Sequence, residues 1–146
     1  MNDLLVGSDW WFLERLEYEG ALLIIEVAEG IVASTSEDVT IEGAGTIEGA
    51  APIEITPQSR HVRLEFGHVL TYQVTDESYA APETGETEGG VLARHIGSAY
   101  LQHVLDQTLI PDLVDEPVHH YSLNLADDVI DIVTIDEPKI NLLPAK

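Results

Sequence analysis

The chain has 146 residues, with 27 Asp and Glu against 6 Lys and Arg, a net charge of −21 and no cysteine. A single domain over residues 1–146 is expected at this length, and a hydrophobic fraction of 45% speaks for a folded core rather than disorder. The composition excludes disulfides, thiol nucleophiles and Cys-ligated metals, and the charge sets the chain against nucleic acid and anionic membranes as partners.

The chain reads as mostly β. Residues 13–19 alternate, with Leu16 and Tyr18 on one side and Arg15, Glu17 and Glu19 on the other, and Gly20 breaks the strand. Residues 21–27 are a continuous apolar run of strand length, read as buried on both faces. Glu29-Gly30 makes a turn, and residues 31–35 resume as a strand. The preceding Trp10, Trp11 and Phe12 read as a lid on the core.

Residues 40–50 repeat the same local motif, and Ile41, Ile47 and Ile53 fall six apart. That is the spacing of a left-handed β-helix, but the stretch would complete only about one coil, and stacking needs several. A hairpin bending at Gly43-Ala44-Gly45 is the simpler reading, with Pro52 and Pro57 bracketing a short edge segment.

Residues 60–75 read as a hairpin turning at Gly67-His68-Val69, which sets Phe66 opposite Leu70 and Leu64 opposite Tyr72 and keeps one face apolar. Residues 80–91 read as an acidic, glycine-rich loop. Residues 98–108 fit a helix capped by Ser98, with Tyr100, Leu101, Val104, Leu105 and Thr108 on one side and Pro111 ending it. Residues 118–135 read as a second hairpin turning at Asp127-Asp128, placing Leu125 opposite Ile130, Asn124 opposite Asp131 and His119 opposite Asp136. Residues 139–143 add a short edge. The fold class expected is mainly β (α+β): an antiparallel sandwich or open roll built from hairpins, with one helix near 98–108.

Four blocks in the second half carry a resemblance: Tyr72 to Tyr79 (YQVTDESY), Ser98 to Val104, His120-Tyr121, and Ile130 to Thr134 followed by Glu137-Pro138-Lys139-Ile140. Over roughly residues 60–140 the chain resembles a pattern of small uncharacterised bacterial proteins, a family of unknown function. The resemblance implies a small domain and assigns no activity, cofactor or catalytic residue. Small acidic bacterial proteins of this size also resemble immunity proteins, which neutralise basic toxins.

Catalytic motifs are scarce. Ser78 and Ser98 stand outside any G-x-S-x-G elbow, and neither a phosphate-binding loop nor an H-E-x-x-H zinc motif occurs. His119 and His120 adjoin on a strand, so they point to opposite faces and do not share a metal. Asp131 interrupts an apolar strand and reads as the polar partner of Asn124. Among so many carboxylates the histidines are expected to favour their charged form, with His119 and Asp136 the named pair.

The leading expectation is a non-enzymatic, acidic protein-binding module, immunity-like, that docks a basic protein through Glu42, Glu48, Glu54, Glu83, Glu86 and Glu88. The second is a small-molecule binder or small enzyme with a pocket near Asp76, Glu77 and His120. The third is a structural homo-oligomer whose acidity reflects a salty environment. No catalytic residue, cofactor or metal ligand is assigned. The longest apolar run, residues 21–25, is far short of the roughly 20 residues of a membrane span, and Met1-Asn2-Asp3 lacks a basic leader, so a cytoplasmic protein is expected.

Overall fold

The structure is a computed structural model that describes residues 3–32, 37–41, 45–50 and 52–145. In chain order the first strands are β1 (Trp11–Glu19), β2 (Leu22–Glu29), β3 (Ile31–Val32), β4 (Glu37–Ile41), β5 (Gly45–Ala50), β6 (Ile53–Glu54), β7 (His61–Phe66) and β8 (Val69–Asp76). They are followed by β9 (Glu86–Gly89), β10 (Leu92–Ile96), the helices α1 (Ala99–Gln107) and α2 (Ile110–Leu113), and then β11 (His119–Asn124), β12 (Asp128–Thr134) and β13 (Lys139–Leu143).

Two antiparallel sheets form the body, one in the order β1-β2-β7-β13 and one in the order β8-β12-β11-β10-β9. Gly20 and Ala21, both at positive φ (59° and 64°), make the tight turn from β1 to β2. Paired left-handed residues match the twist of a hairpin, which is why the chain turns there. Alternation along β2 and β7 sends Leu23, Ile25, Val27, Val62, Leu64 and Phe66 inward. They meet Tyr121, Leu123, Ile130 and Ile132 of the second sheet in one continuous core, with the Phe66 and Tyr121 rings 6.0 Å apart. Each such large apolar side chain, fully buried, contributes about 1.5–3 kcal/mol. The fold is therefore mainly β, built from antiparallel sheets, with α1 the one substantial helix among the described residues, capped as expected by Ser98.

Several expectations are corrected. β7 and β8 do not form a hairpin: β7 lies between β2 and β13, whereas β8 pairs with β12. The chain changes sheets at Gly67-His68, where His68 takes φ 46° and Thr134 Oγ1 donates to Gly67 O at 2.6 Å. The run 21–27 is not buried on both faces, since Leu22 is exposed and Glu26 pairs with Arg15 and Arg63 on the outer side. The stretch 80–91 is not all loop, because β9 pairs with β10 along the sheet edge.

The β11–β12 hairpin is found, but its turn lies one residue earlier, at Ala126-Asp127, with Leu125 N–H donating to Asp128 O. Leu123 thus faces Ile130, Asn124 faces Val129, Ser122 faces Asp131 and His119 faces Thr134. A shift of two keeps every side chain on its predicted face while changing every partner. Pro111 falls inside the short α2 rather than simply ending α1. β4 and β5 pair antiparallel, as a hairpin requires; the expected bend at residues 43–44 lies outside the described residues.

Candidate metal centre

The outer face of the five-stranded sheet, turned away from the core, carries the polar residues of interest. On β11, Tyr121 and Leu123 point inward, so His120 and Ser122 point outward. The same alternation places Asp131 of β12, Gln73 of β8 and His95 of β10 on that outer face, joined by their hydrogen bonds to one another and to His120 and Ser122. α1 lies against this face through Tyr100, whose ring is 5.0 Å from that of His120. Burial pushes the Tyr100 phenol above its usual pKa.

His120 is fully buried and held at both ring nitrogens. Its Nε2 donates to Asp131 Oδ1 at 2.8 Å, and Ser98 Oγ lies 2.7 Å from its Nδ1. A carboxylate only accepts, so in neutral His120 the proton sits on Nε2 and Nδ1 accepts from the Ser98 hydroxyl. The second carboxylate is Glu83. Its Oε1 accepts from Ala99 N–H at 3.0 Å, at the start of α1, and from Thr84 N–H at 2.9 Å. Asp131 is oriented in turn by Gln73, whose Nε2 donates to Oδ2 at 3.3 Å.

Ligand atoms of Glu83, His120 and Asp131 all lie within 4.8 Å of one another. A groove of about 360 Å³ opens over Glu83 and Asp131, lined also by His95, Ser122 and Asn124, with His120 buried beneath it. The His95 ring stacks on His120 at 4.4 Å, and its Nε2 lies 2.7 Å from Ser122 Oγ. Burial first, and then the adjoining His120, lower the His95 pKa. The shift favours the neutral form of His95, which stacks on the ring that the carboxylates meet.

The series Ser98–His120–Asp131 has the order of a nucleophile, base and acid, yet Ser98 is 1% exposed and its Oγ also caps α1 by accepting from Leu101 N–H. That hydroxyl is closed to a substrate and serves to position the imidazole.

The residues singled out from the sequence are only partly brought together. His120 is at the centre, but Asp76 instead caps a short helical turn by accepting from Ser78 N–H at 2.9 Å, and Glu77 lies in that turn. Neither is among the groups converging on His120. Glu83 is one of the three groups that converge. Glu86 and Glu88 are exposed on β9, and Glu54 is exposed on β6. The side chains of Glu42 and Glu48 lie outside the described residues. Asn124 is not the partner of Asp131; it donates to Gly90 O and Ser122 Oγ. His119 does not meet Asp136 either, and instead accepts from Arg94 at Nδ1.

His95, Ser98 and Tyr100 enter the centre without having been predicted there. The available signal was the helix cap at Ser98, which fixes one end of α1 and hence what α1 covers. Comparison with family models, curated proteins and solved structures finds no match to the chain.

Proposed function

We propose that the protein binds a divalent transition-metal ion through His120 Nε2 and the carboxylates of Glu83 and Asp131. The observation that carries this is the convergence of one imidazole and two carboxylates within 4.8 Å, from β11, β12 and the segment before β9. One nitrogen and two oxygens suit zinc and its first-row neighbours, and three protein ligands leave a position open toward the groove. Each ligand is also oriented from outside the triad: His120 by Ser98, Glu83 by Ala99 N–H, and Asp131 by Gln73. Such supporting bonds are what a ligating histidine or carboxylate ordinarily has. The ion takes the place of the Nε2 proton, the ring's proton moves to Nδ1, and Ser98 Oγ then accepts from Nδ1–H, so the imidazole stays neutral and held at both nitrogens.

The test is titration with Co²⁺ followed by its visible ligand-field bands, with Zn²⁺ in competition. One ion per chain is expected, and Asp131→Asn or Glu83→Gln should each weaken binding by about tenfold or more. Glu86→Gln, which removes an equal charge from β9, should leave affinity unchanged. Unchanged affinity in both site variants, or Mg²⁺ binding as tightly as Zn²⁺, would sink the assignment.

A second reading, docking of a basic protein, has its support in Glu86 and Glu88, which are exposed on an edge strand of a chain with net charge −21. An association that is insensitive to added salt, or to Glu86→Lys with Glu88→Lys, would speak against it.

A further inference from the structure

A second cavity lies on the other side of β10. Alternation that sends His95 outward sends Arg94 toward the space between the sheets. There a cavity of about 660 Å³ is bounded by the N-terminal segment, the turn between β9 and β10, and the start of β13. Leu5, Leu92, Tyr121 and Ile140 give it an apolar wall. A volume of this size, with one apolar wall beside a few fixed polar and charged groups, is that of a small-molecule site.

Arg94 is the one cation among its lining residues. Its situation differs from that of the other arginines. Arg15 pairs with Glu17 and Glu26, Arg60 with Glu29, and Arg63 with Glu26. Among the described residues, no carboxylate lies within 4.0 Å of the Arg94 guanidinium. In a chain with 27 acids that is an exception. Arg94 instead donates from Nη2 to His119 Nδ1 at 2.9 Å. Burial, and then Arg94 itself, lower the His119 pKa, which keeps that acceptor neutral. The guanidinium is thus anchored by an uncharged partner, and among the described residues its charge has no direct counter-ion.

We propose that this cavity binds a monocarboxylate with an apolar body, the carboxylate on Arg94 and the body against Leu5, Leu92, Tyr121 and Ile140. A guanidinium matches a carboxylate in two parallel hydrogen bonds, which an ammonium does not. Asp9, Glu88 and Glu137 stand exposed among the lining residues and disfavour a second negative charge on the ligand. The site shares no residue with the metal centre and stands independently of it.

The test uses three probes of one chain length: octanoate, octanol and octylammonium, titrated calorimetrically into the full chain. The net charge of −21 favours octylammonium, so a preference for octanoate has to come from Arg94. Octanoate should bind at least about tenfold more tightly than octanol, a gap that one charge-assisted bidentate contact supplies. Arg94→Gln should level the two, and Arg94→Lys should fall between. If Arg94→Gln does not fold, Glu88→Lys replaces it, and should tighten octanoate while leaving octanol unchanged. No binding of octanoate, tighter binding of octylammonium, a preference that survives Arg94→Gln, or equal effects of Glu88→Lys on octanoate and octanol would each overturn the proposal.

Discussion

The hydroxyl of Ser98 stands 2.7 Å from Nδ1 of His120 and at the same time accepts the Leu101 N–H that opens α1. One side chain therefore couples the start of the helix to the orientation of a buried imidazole. The helix supplies Ala99 N–H to Glu83, so the cap and two of the three converging ligands form one connected unit.

Ser98→Ala should destabilise the fold by about 2–4 kcal/mol. Loss of an N-cap costs about 1 kcal/mol, and leaving the buried Nδ1 without its donor adds about 1–3 kcal/mol. Ser98→Thr keeps the hydroxyl and should recover most of this. Urea unfolding of the three proteins decides it; a loss below about 0.5 kcal/mol in Ser98→Ala would mean that water replaces both bonds.

His68 and Asp136 form the pair that the sequence had assigned to His119. His68 Nδ1 lies 2.5 Å from Asp136 Oδ2, and the hydrogen bond, then the charge of Asp136, raise the His68 pKa above 6.5. A raised value means the folded state holds the proton more tightly. The stabilisation is complete below the unfolded value and is lost as pH rises through the folded one. Wild type should therefore lead His68→Ala in Tm by more at about pH 6 than at about pH 9. Both groups are solvent-exposed, so the lead is small and should shrink in about 1 M salt. A gap that widens with pH would contradict the assignment.

His95 behaves oppositely. Burial and the adjoining His120 lower its pKa below 6.5, so the unfolded chain takes up a proton that the folded chain resists. Stability from this group is present above the unfolded value and is lost as pH falls below it. One such group steepens the loss by at most about 1.4 kcal/mol per pH unit. His95→Gln should therefore lose less stability between about pH 7.5 and pH 5.5 than wild type does, read from urea midpoints. An acid limb of unchanged slope would place the titration elsewhere.

What the sequence discloses and what it conceals follow from the range of each interaction. α1 was legible because its signals are local: Ser98 before the helix and Val104 on its buried side. The strands β7 and β8 were legible as strands, but not as members of different sheets. Facing sheets of a sandwich and neighbouring strands of a hairpin both demand alternation, so Val62, Leu64 and Phe66 fit either arrangement. β9 was hidden because Glu86, Thr87 and Glu88 have no apolar face, and only pairing with β10 makes them a strand. His120, Asp131 and Glu83 were each noticed for separate reasons. Their meeting depends on the β11–β12 register and on where residues 77–85 run, and both are set by tertiary contacts.

The segment that delivers Glu83 passes through Gly85, at φ 82°, where an added Cβ would stand 2.2 Å from Ile96 O and 2.8 Å from Gly97 O. Gly20 has a similar left-handed backbone, φ 59°, but nothing within 4 Å of such a Cβ. Gly20→Ala should therefore cost only the backbone term, about 1 kcal/mol. Gly85→Ala adds a collision with a carbonyl of the residues leading into α1, and should cost about 3 kcal/mol or more. Because Glu83 and Thr84 both accept from Ala99 N–H, relief of that collision moves Glu83 away from His120. Gly85→Ala should accordingly weaken Co²⁺ binding, while Gly20→Ala should not. Equal losses of stability at the two glycines, with Co²⁺ binding intact in both, would show that Gly85 is retained for its backbone angle alone.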